Sequence, residues 1–511
     1  MKKFFKRSLL ILLSIVILLA ISPFALIQFG PESKATSAKL LLNTLFGYGI
    51  EAPSSEVMQQ RLTVPIGFSV NVFAQQLGKI RFLKSTAGGD LIVTRPRAGD
   101  VLLLRDEDGD GVAETQQVLL ADLNKPHGID IADGWLYIAE STAIGKVAFD
   151  QQAGKIIGTY QRIVEGLADS GNHWSKTLGI GPDGYLYFTS GSSCNVCEET
   201  DPQRAAMMRV QTDGSSLEIY ATGLRNAVGF DWSPWDQALY ATDNGRDLLG
   251  DDFPPCELNK IEHGGFYGWP YINGFAELDP DLGPDLGARK GALLASAISP
   301  VHGFRAHNAP LGIRFLRHNS QPEYQRSALA ALHGSWNRSE RDGYKVVSLH
   351  WQDNGDIVER DFFTGFKSSS DVIGRPVDIT EAEDGSIYVS DDYTGTIYRI
   401  IYGAKNHELA APPVVAKQMT SDLDAMQYSD EQTAQLQLLG EAAYTEFDCG
   451  SCHDTDRASE LQSIKPLAQL SQRYSSQQLA DFFLTPTPPM PLFALSQQQR
   501  EALAVYLISR E

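Results

Sequence analysis

A chain of 511 residues with 43% hydrophobic and 21% charged content is ordinarily globular and long enough for two to four domains. Its formal net charge of −20 sets nucleic acid aside as a partner, because the phosphate backbone would be repelled by most of the surface. Positive charge gathers at the start, in Lys2, Lys3, Lys6 and Arg7, and no charged residue follows from Ser8 to Pro31. Leu9 to Ile27 is almost entirely apolar, long enough to span a bilayer and longer than the core of a typical cleaved signal. Residues 1–31 therefore read as an N-terminal transmembrane helix, a signal anchor with its basic flank inside. The small residues from Ala35 to Ala38 leave cleavage open. Either way the remainder is exported. The expectation is a single-pass protein of the bacterial inner membrane, with a juxtamembrane segment over residues 32–64 and its working domains in the periplasm.

Between residues 65 and 402 the chain repeats a phrase: a glycine turn, a short apolar strand, a gap, then a second strand. It occurs at Gly89–Val93 with Asp100–Leu104, and at Gly134–Ile138 with Gly145–Phe149. Gly184–Phe188 and Gln237–Ala241 carry it further, followed by Leu329–Leu332 with Tyr344–Val347 and Gly385–Val389 with Thr396–Ile400. Six units at about fifty-residue spacing, with few helix signals, predict a mainly β domain folded as a six-bladed β-propeller. A pair of β-sandwiches is the other fold such strands could make. The wide gap between the fourth and fifth units predicts an insertion from about Gly250 to Tyr324. Within the first unit, Asp106, Asp108 and Asp110 with Glu114 alternate like the oxygen ligands of a calcium loop, although Gln117 stands where a bidentate glutamate is usual. Residues 403–428, with Pro412 and Pro413, read as an interdomain linker.

Several longer motifs carry a resemblance. Asn172–Gly184, Gly223-Leu224-Arg225-Asn226 and Gly264–Pro270 are similar to segments of the soluble quinoprotein glucose dehydrogenases. Gly191–Glu199, Asn244–Asp252, His333–Arg338 and Gly374–Asp378 resemble the membrane-anchored sorbosone and pyranose dehydrogenases that use pyrroloquinoline quinone (PQQ). The likeness runs through all six units. It implies a PQQ-dependent dehydrogenase acting on a sugar or polyol. The three carboxylates of PQQ call for planar, permanently charged donors, and the resemblance offers Arg225 with Asn226, Arg338 and Arg375, with Arg97 as a further member. It also implies a Ca²⁺ ion that polarises the quinone, held by the backbone carbonyls of Gly245 and Arg246. His173 aligns with the catalytic base, with His333 and His127 in equivalent loops as reserves. Where the soluble glucose dehydrogenases place an aspartate that orients this histidine, the chain has Ser192. That departure leaves Glu198 or Asp378 to fix the tautomer, or else puts the base assignment in doubt. Cys194 and Cys197 can close a small disulfide loop, which export permits, while Cys256 is left over and could pair with either.

The C-terminal segment, residues 429–511, has a different character. Cys449-Gly450-Ser451-Cys452-His453 is the pattern for covalent haem c attachment, the thiols of Cys449 and Cys452 adding to the vinyl groups and His453 ligating the iron. Met490, held among Pro486, Pro488, Pro489 and Pro491, supplies a second iron ligand. A histidine–methionine pair suits electron transfer. Capping boxes at Ser429 with Gln432 and at Ser496 with Gln499 start two helices, the first with Leu436, Leu439 and Ala443 on one stripe. The segment resembles a small all-α class I cytochrome c, in which the first and last helices cross.

These parts join into one expectation: sugar oxidation at PQQ in the propeller, electron transfer to the haem, and delivery to a quinone pool or a soluble cytochrome. A calcium-dependent lactonase on a similar propeller and a non-catalytic sensor propeller are the readings from other classes. Nothing in the sequence names the sugar.

Overall fold

The computed structural model describes residues 52–282, 286–319, 321–369, 371–403 and, in the C-terminal part, 430–447, 449–453 and shorter stretches up to 510. The apolar run at the N-terminus and the linker lie outside the described residues. Among the described residues no helix is long and apolar enough to cross a membrane.

The chain divides into two compact units, residues 1–410 and 411–511. In the first, the described strands form six four-stranded antiparallel sheets, as the repeats predict. The recurring phrase marks the second strand of each blade, and often the third, as with Leu91–Arg95 and Asp100–Arg105. These strands are nearly continuous apolar runs because both of their faces are covered by neighbouring blades. Four blades use four consecutive strands, and a fifth is interrupted before its last strand. The sixth takes Pro376–Glu381, Ile387–Asp391 and Thr396–Tyr402 from the end of the unit and its outermost strand, Phe68–Ala74, from the beginning. Phe68 pairs with Tyr402 and Val70 with Ile400, so the ring is closed by hydrogen bonds between the two ends of the unit.

Two boundaries move. The insertion does not run from Gly250 to Tyr324, because Cys256–Ile261, His302–Phe304 and Pro310–Phe315 are blade strands within that span. These strands lack the glycine turn that marks the others. The insertion proper separates the third and fourth strands of the fourth blade and holds the hairpin Ile272–Asn273 with Glu277–Leu278 and the helix Leu286–Ala295. The end of the juxtamembrane segment also belongs to the propeller. A helix at Ser55–Arg61, capped by the Ser54 hydroxyl accepting from the Val57 N–H, buries Met58 and the following Leu62 against Phe362, Phe363 and Phe366.

Blades are joined near the axis by short side chains that satisfy the next blade's backbone. Asp130 accepts from the Ile180 N–H at 2.8 Å, Asp231 from Phe315 at 2.8 Å and Asp378 from Leu83 at 2.9 Å, at alternate seams around the ring. Hydroxyls do the same: Thr94 donates to the His127 carbonyl, Thr242 to Leu311 and Ser390 to Arg81. Each aspartate stands in the middle of an innermost strand between apolar neighbours, which is why so polar a residue can be buried there.

In the C-terminal unit the helices Asp430–Glu446 and Gln497–Ser509 cross where Gly440 meets the other chain segment. A Cβ on Gly440 would lie 2.2 Å from the Ala502 carbonyl oxygen, so only glycine permits that approach. The buried stripe of the first helix is Gly440, Ala443 and Tyr444, and Leu439 is exposed, a shift of the predicted face toward the crossing point.

Candidate active site

The first strand of each blade starts at the same end of the propeller axis where the second strand finishes, and the loops there enclose a cavity of about 440 Å³. Lys79 and Arg81 reach it from the segment entering Leu83–Ser85, His173 and Trp174 from the segment entering Leu178–Ile180, and Asn226 and Arg375 from just before Ala227–Trp232 and Pro376–Glu381. Arg97, His333 and Asp392 follow the ends of second strands. Four cations therefore face one carboxylate, in a chain that is acidic as a whole. A larger cavity of about 510 Å³ opens at the opposite end, but its charges oppose one another: Lys84 pairs with Asp130 at 2.6 Å and Arg317 with Asp231 at 2.8 Å.

The cationic wall is built as a network. Asp392 receives Arg81 on one oxygen at 2.8 Å and the His333 Nε2 on the other at 2.9 Å. Burial raises the Asp392 pKa, but the hydrogen bond from His333 and the charges of Arg81 and Lys79 prevail and leave it well below the usual carboxylate range. Arg375 spends Nε on the His333 carbonyl at 3.1 Å and Nη2 on the Gly334 carbonyl at 3.2 Å, which orients its fork and leaves Nη1 for a ligand.

Of the residues expected to hold the cofactor, Arg375, Arg97 and Asn226 line this cavity, but two other arginines have their donors committed elsewhere. Arg225 is buried and commits all five of its N–H groups: to the carbonyls of Asn195, Asn244 and Gly245, each at 3.0 Å, to the Asn195 side-chain oxygen at 2.8 Å and to Asp247 at 3.3 Å. It ties two loops together and acts on the cavity only through its charge. Arg338 binds the carbonyl of Asp251, the carbonyl of Ala306 and the carboxylate of Asp252, away from the lining. The same geometry bears on calcium. The Gly245 carbonyl accepts from the Arg225 guanidinium, whose positive charge opposes a divalent ion at that oxygen, while the Arg246 side chain is held by Asp279 and Asp281. The loop at Asp106, Asp108, Asp110 and Glu114 does gather its carboxylate oxygens within 4.8 Å of one another, while Asp106 accepts from the Gly109 and Gly111 N–H groups. It joins a third strand to a fourth, which puts it at the opposite end from the cationic cavity.

Of the three histidines, His173 lines the cavity without a carboxylate partner, unlike His333. Its Nδ1 lies 2.9 Å from the Ser192 hydroxyl oxygen and 3.2 Å from the Ser192 carbonyl. The Ser192 hydroxyl donates its own proton to the Cys194 carbonyl at 2.7 Å, so toward His173 it can only accept. Nδ1 therefore carries the proton and Nε2 has a free lone pair. Ser192 itself fixes the tautomer. Glu198 instead accepts from the Tyr271 hydroxyl at 3.0 Å, and Asp378 is spent on its interblade bond. Burial, with the positive charges of Arg225 and Arg204 adding to it, pushes the His173 pKa down to about 3. Gly191 allows the ring to sit here, since a Cβ at that position would lie 2.5 Å from the His173 Cβ. His333 is tied to Asp392, and His127 is wholly buried against Phe82 at 4.6 Å, with neither ring nitrogen bonded.

Lys79, Arg81, Trp174 and Asp392 escaped the sequence reading. Lys79 and Arg81 precede the first innermost strand at the place Arg375 occupies before the last, but that strand is three residues long and carries no repeat signal. Of the pairings left open, Cys194 and Cys197 form the disulfide, and Cys256 is buried and free.

A family model described as TrAA12-like matches residues 62–255 and 294–403, more than half of the chain and leaving out the insertion. The chain belongs to the TrAA12-like family. An uncharacterized protein of Borreliella burgdorferi is 32% identical over 379 residues, covering 71% of this chain and 96% of that one. The aldose sugar dehydrogenase of Escherichia coli is 24% identical over 298 residues, 52% of this chain and 72% of that protein. Among solved structures, the holo PQQ domain of pyranose dehydrogenase from Coprinopsis cinerea superposes with a TM-score of 0.56 at 20% identity, over 66% of this chain and 97% of that domain, and so shares the propeller fold. The TrAA12-like match ends at residue 403, short of the C-terminal unit.

In that unit, Cys449 is buried in an apolar cluster with Leu470, Phe483 and Leu503, against which Met490 packs. The His453 N–H donates to the Cys449 carbonyl at 3.2 Å, one helical turn away. The side chain of Cys452 lies outside the described residues.

If Arg375 and not Arg338 meets the cofactor, Arg375→Ala should weaken PQQ binding about 10- to 100-fold, the worth of a charge-assisted hydrogen bond. Arg338→Ala should leave it within a few-fold. Equilibrium titration of PQQ into each variant separates the two.

Proposed function

We propose that the chain is a PQQ-dependent sugar dehydrogenase that passes electrons to its own haem c. The observation that carries this is a single cavity lined by four cations and by a histidine whose Nε2 is an acceptor. The likeness to aldose sugar and pyranose dehydrogenases supplies the substrate class.

PQQ, when bound, supplies a two-electron acceptor for hydride. Arg375, Arg81, Arg97 and Lys79 suit its carboxylates, and Asn226 can orient it from the facing loop. His173 Nε2 takes the hydroxyl proton as the sugar is oxidised, its Nδ1–H already anchored on Ser192. The resulting imidazolium is disfavoured by burial and by Arg225, so the proton is released readily rather than stored. Trp174 offers a flat apolar face for the ring of the sugar. A structural Ca²⁺ ion would be held by the carboxylates of the Asp106–Glu114 loop.

Cys449 and Cys452 would attach a haem and His453 and Met490 would ligate its iron, which would supply a one-electron acceptor fused to the donor at raised effective concentration. A quinone pool or a soluble cytochrome would be the onward acceptor. An N-terminal transmembrane anchor and a periplasmic location complete the proposal, in keeping with the basic, apolar start of the chain.

The test is to mature the full chain with haem, add PQQ and Ca²⁺, and follow the haem absorption bands with a panel of aldoses, osones and polyols. Sugar-dependent reduction that requires PQQ is expected. Failure to bind PQQ and no reduction by any sugar would move the reading to a lactonase or a sensor.

A further inference from the structure

The connection from Ser190 to Ala206 has no β-ladder of its own, yet the tautomer of His173 depends on one atom of it, the Cys194 carbonyl that holds the Ser192 hydroxyl proton. A serine O–H rotates unless an acceptor fixes it. Turned about, it would donate to Nδ1 and force the ring proton onto Nε2, where the ring can no longer accept from a substrate.

The acceptor sits in a four-residue ring closed by the Cys194–Cys197 disulfide. Inside that ring Asn195 is a hub: its carbonyl accepts from Arg225 at 3.0 Å and from the Trp269 indole at 3.3 Å. Its side-chain oxygen accepts from Arg225 and from the Asp247 N–H, both at 2.8 Å, and its side-chain nitrogen donates to the Asp247 carbonyl at 3.1 Å. The Glu199 carboxylate clamps the flank through the Ser193 N–H at 2.6 Å and hydroxyl at 2.8 Å.

We propose that the disulfide-closed loop Cys194–Cys197 is the positioning element of the base, holding the Cys194 carbonyl in place so that Ser192 keeps His173 in its Nδ1–H tautomer. This rests on His173 being the base. An aspartate at this position could only accept and would need no such latch; with a serine, the covalent loop supplies the direction that a carboxylate has by nature.

The test uses full-length protein labelled with ¹⁵N-histidine and read in the cofactor-free state, beside sugar turnover of the loaded enzyme. The unaltered protein should show His173 as the Nδ1–H tautomer. In Cys194→Ser/Cys197→Ser the signal should become mixed, and kcat should fall about tenfold or more with KM little changed, as for other bases in the wrong tautomer. Adding Ser192→Ala to that double variant removes the competing donor while the Ser192 carbonyl remains at 3.2 Å from Nδ1, so the Nδ1–H signal and most of kcat should return. Damage from a merely loosened loop would not be rescued by a further truncation. If the double variant does not fold, reducing the folded protein with a dithiol gives the same comparison. An unchanged tautomer and unchanged kcat without the disulfide would overturn the proposal. Undiminished turnover in a His173 variant would sink the base assignment instead, leaving the tautomer spectrum to stand on its own.

Discussion

Replacing His173 with alanine is expected to lower kcat/KM for sugar oxidation by about 10²- to 10⁴-fold, the usual worth of a general base. PQQ affinity should stay close to that of the unaltered protein, because His173 is not one of the cations that suit the PQQ carboxylates. His127→Phe, by contrast, should leave turnover nearly intact, since that ring is enclosed by Phe82 and Trp174 and bonded to nothing. The pH dependence follows from the lowered pKa. A histidine that is neutral down to about pH 3 stays unprotonated across the whole physiological range, so no loss of turnover from its protonation is expected there. In the cofactor-free protein, its ring should titrate near 3 and show no transition near 6.5. A clear transition near 6.5 would mean that the imidazole is hydrated and that the burial described here is absent.

The second large effect concerns stability. Asp231 is buried, accepts the Phe315 N–H and is gripped by Arg317 on both oxygens, at 2.8 and 2.9 Å, with Arg314 at 3.6 Å. Burial pulls its pKa upward, but Arg314 and Arg317 prevail and hold it below the ordinary value. Asp231→Ala leaves two guanidinium groups and an amide without their partner at a blade seam, so a loss of about 3–5 kcal/mol is expected. Glu218→Ala, which breaks the exposed pair with Arg209, should cost no more than about 1 kcal/mol. Denaturant midpoints of the two variants make the comparison. The sign in acid follows too: a depressed carboxylate stabilises the fold above its unfolded pKa, and that contribution is lost as pH falls through the folded value. Near-equal losses in the two variants would mean that the seam aspartates are dispensable.

Much of the fold was legible because four of the six second strands carry a glycine turn followed by an apolar run, and both signals are local. Phe68–Ala74 gave no such signal as part of the sixth blade, since its partner strand lies at the other end of the unit and no local pattern reports that pairing. The site was legible by type and only partly by position. Arg375 and His173 stand where motifs put them, but a motif fixes where an arginine begins and not what its fork meets. Arg225 and Arg338 have the right neighbours in sequence and spend their donors on loop carbonyls. Ser192 looked like a defect in the base because one hydroxyl can donate or accept, and only the position of the Cys194 carbonyl decides which.

The pairing of Phe68 with Tyr402 also sets a schedule for the nascent chain. A chain made from its N-terminus presents the closing strand first and its partner last, so five blades must assemble while one sheet edge and one free strand both wait. Contacts so distant in sequence make folding slow, and an unpaired strand edge invites pairing with another copy. Production of this protein should therefore be limited by the time that strand spends unmatched, and a circular permutation that makes Phe68–Ala74 follow Tyr402 directly would shorten the wait.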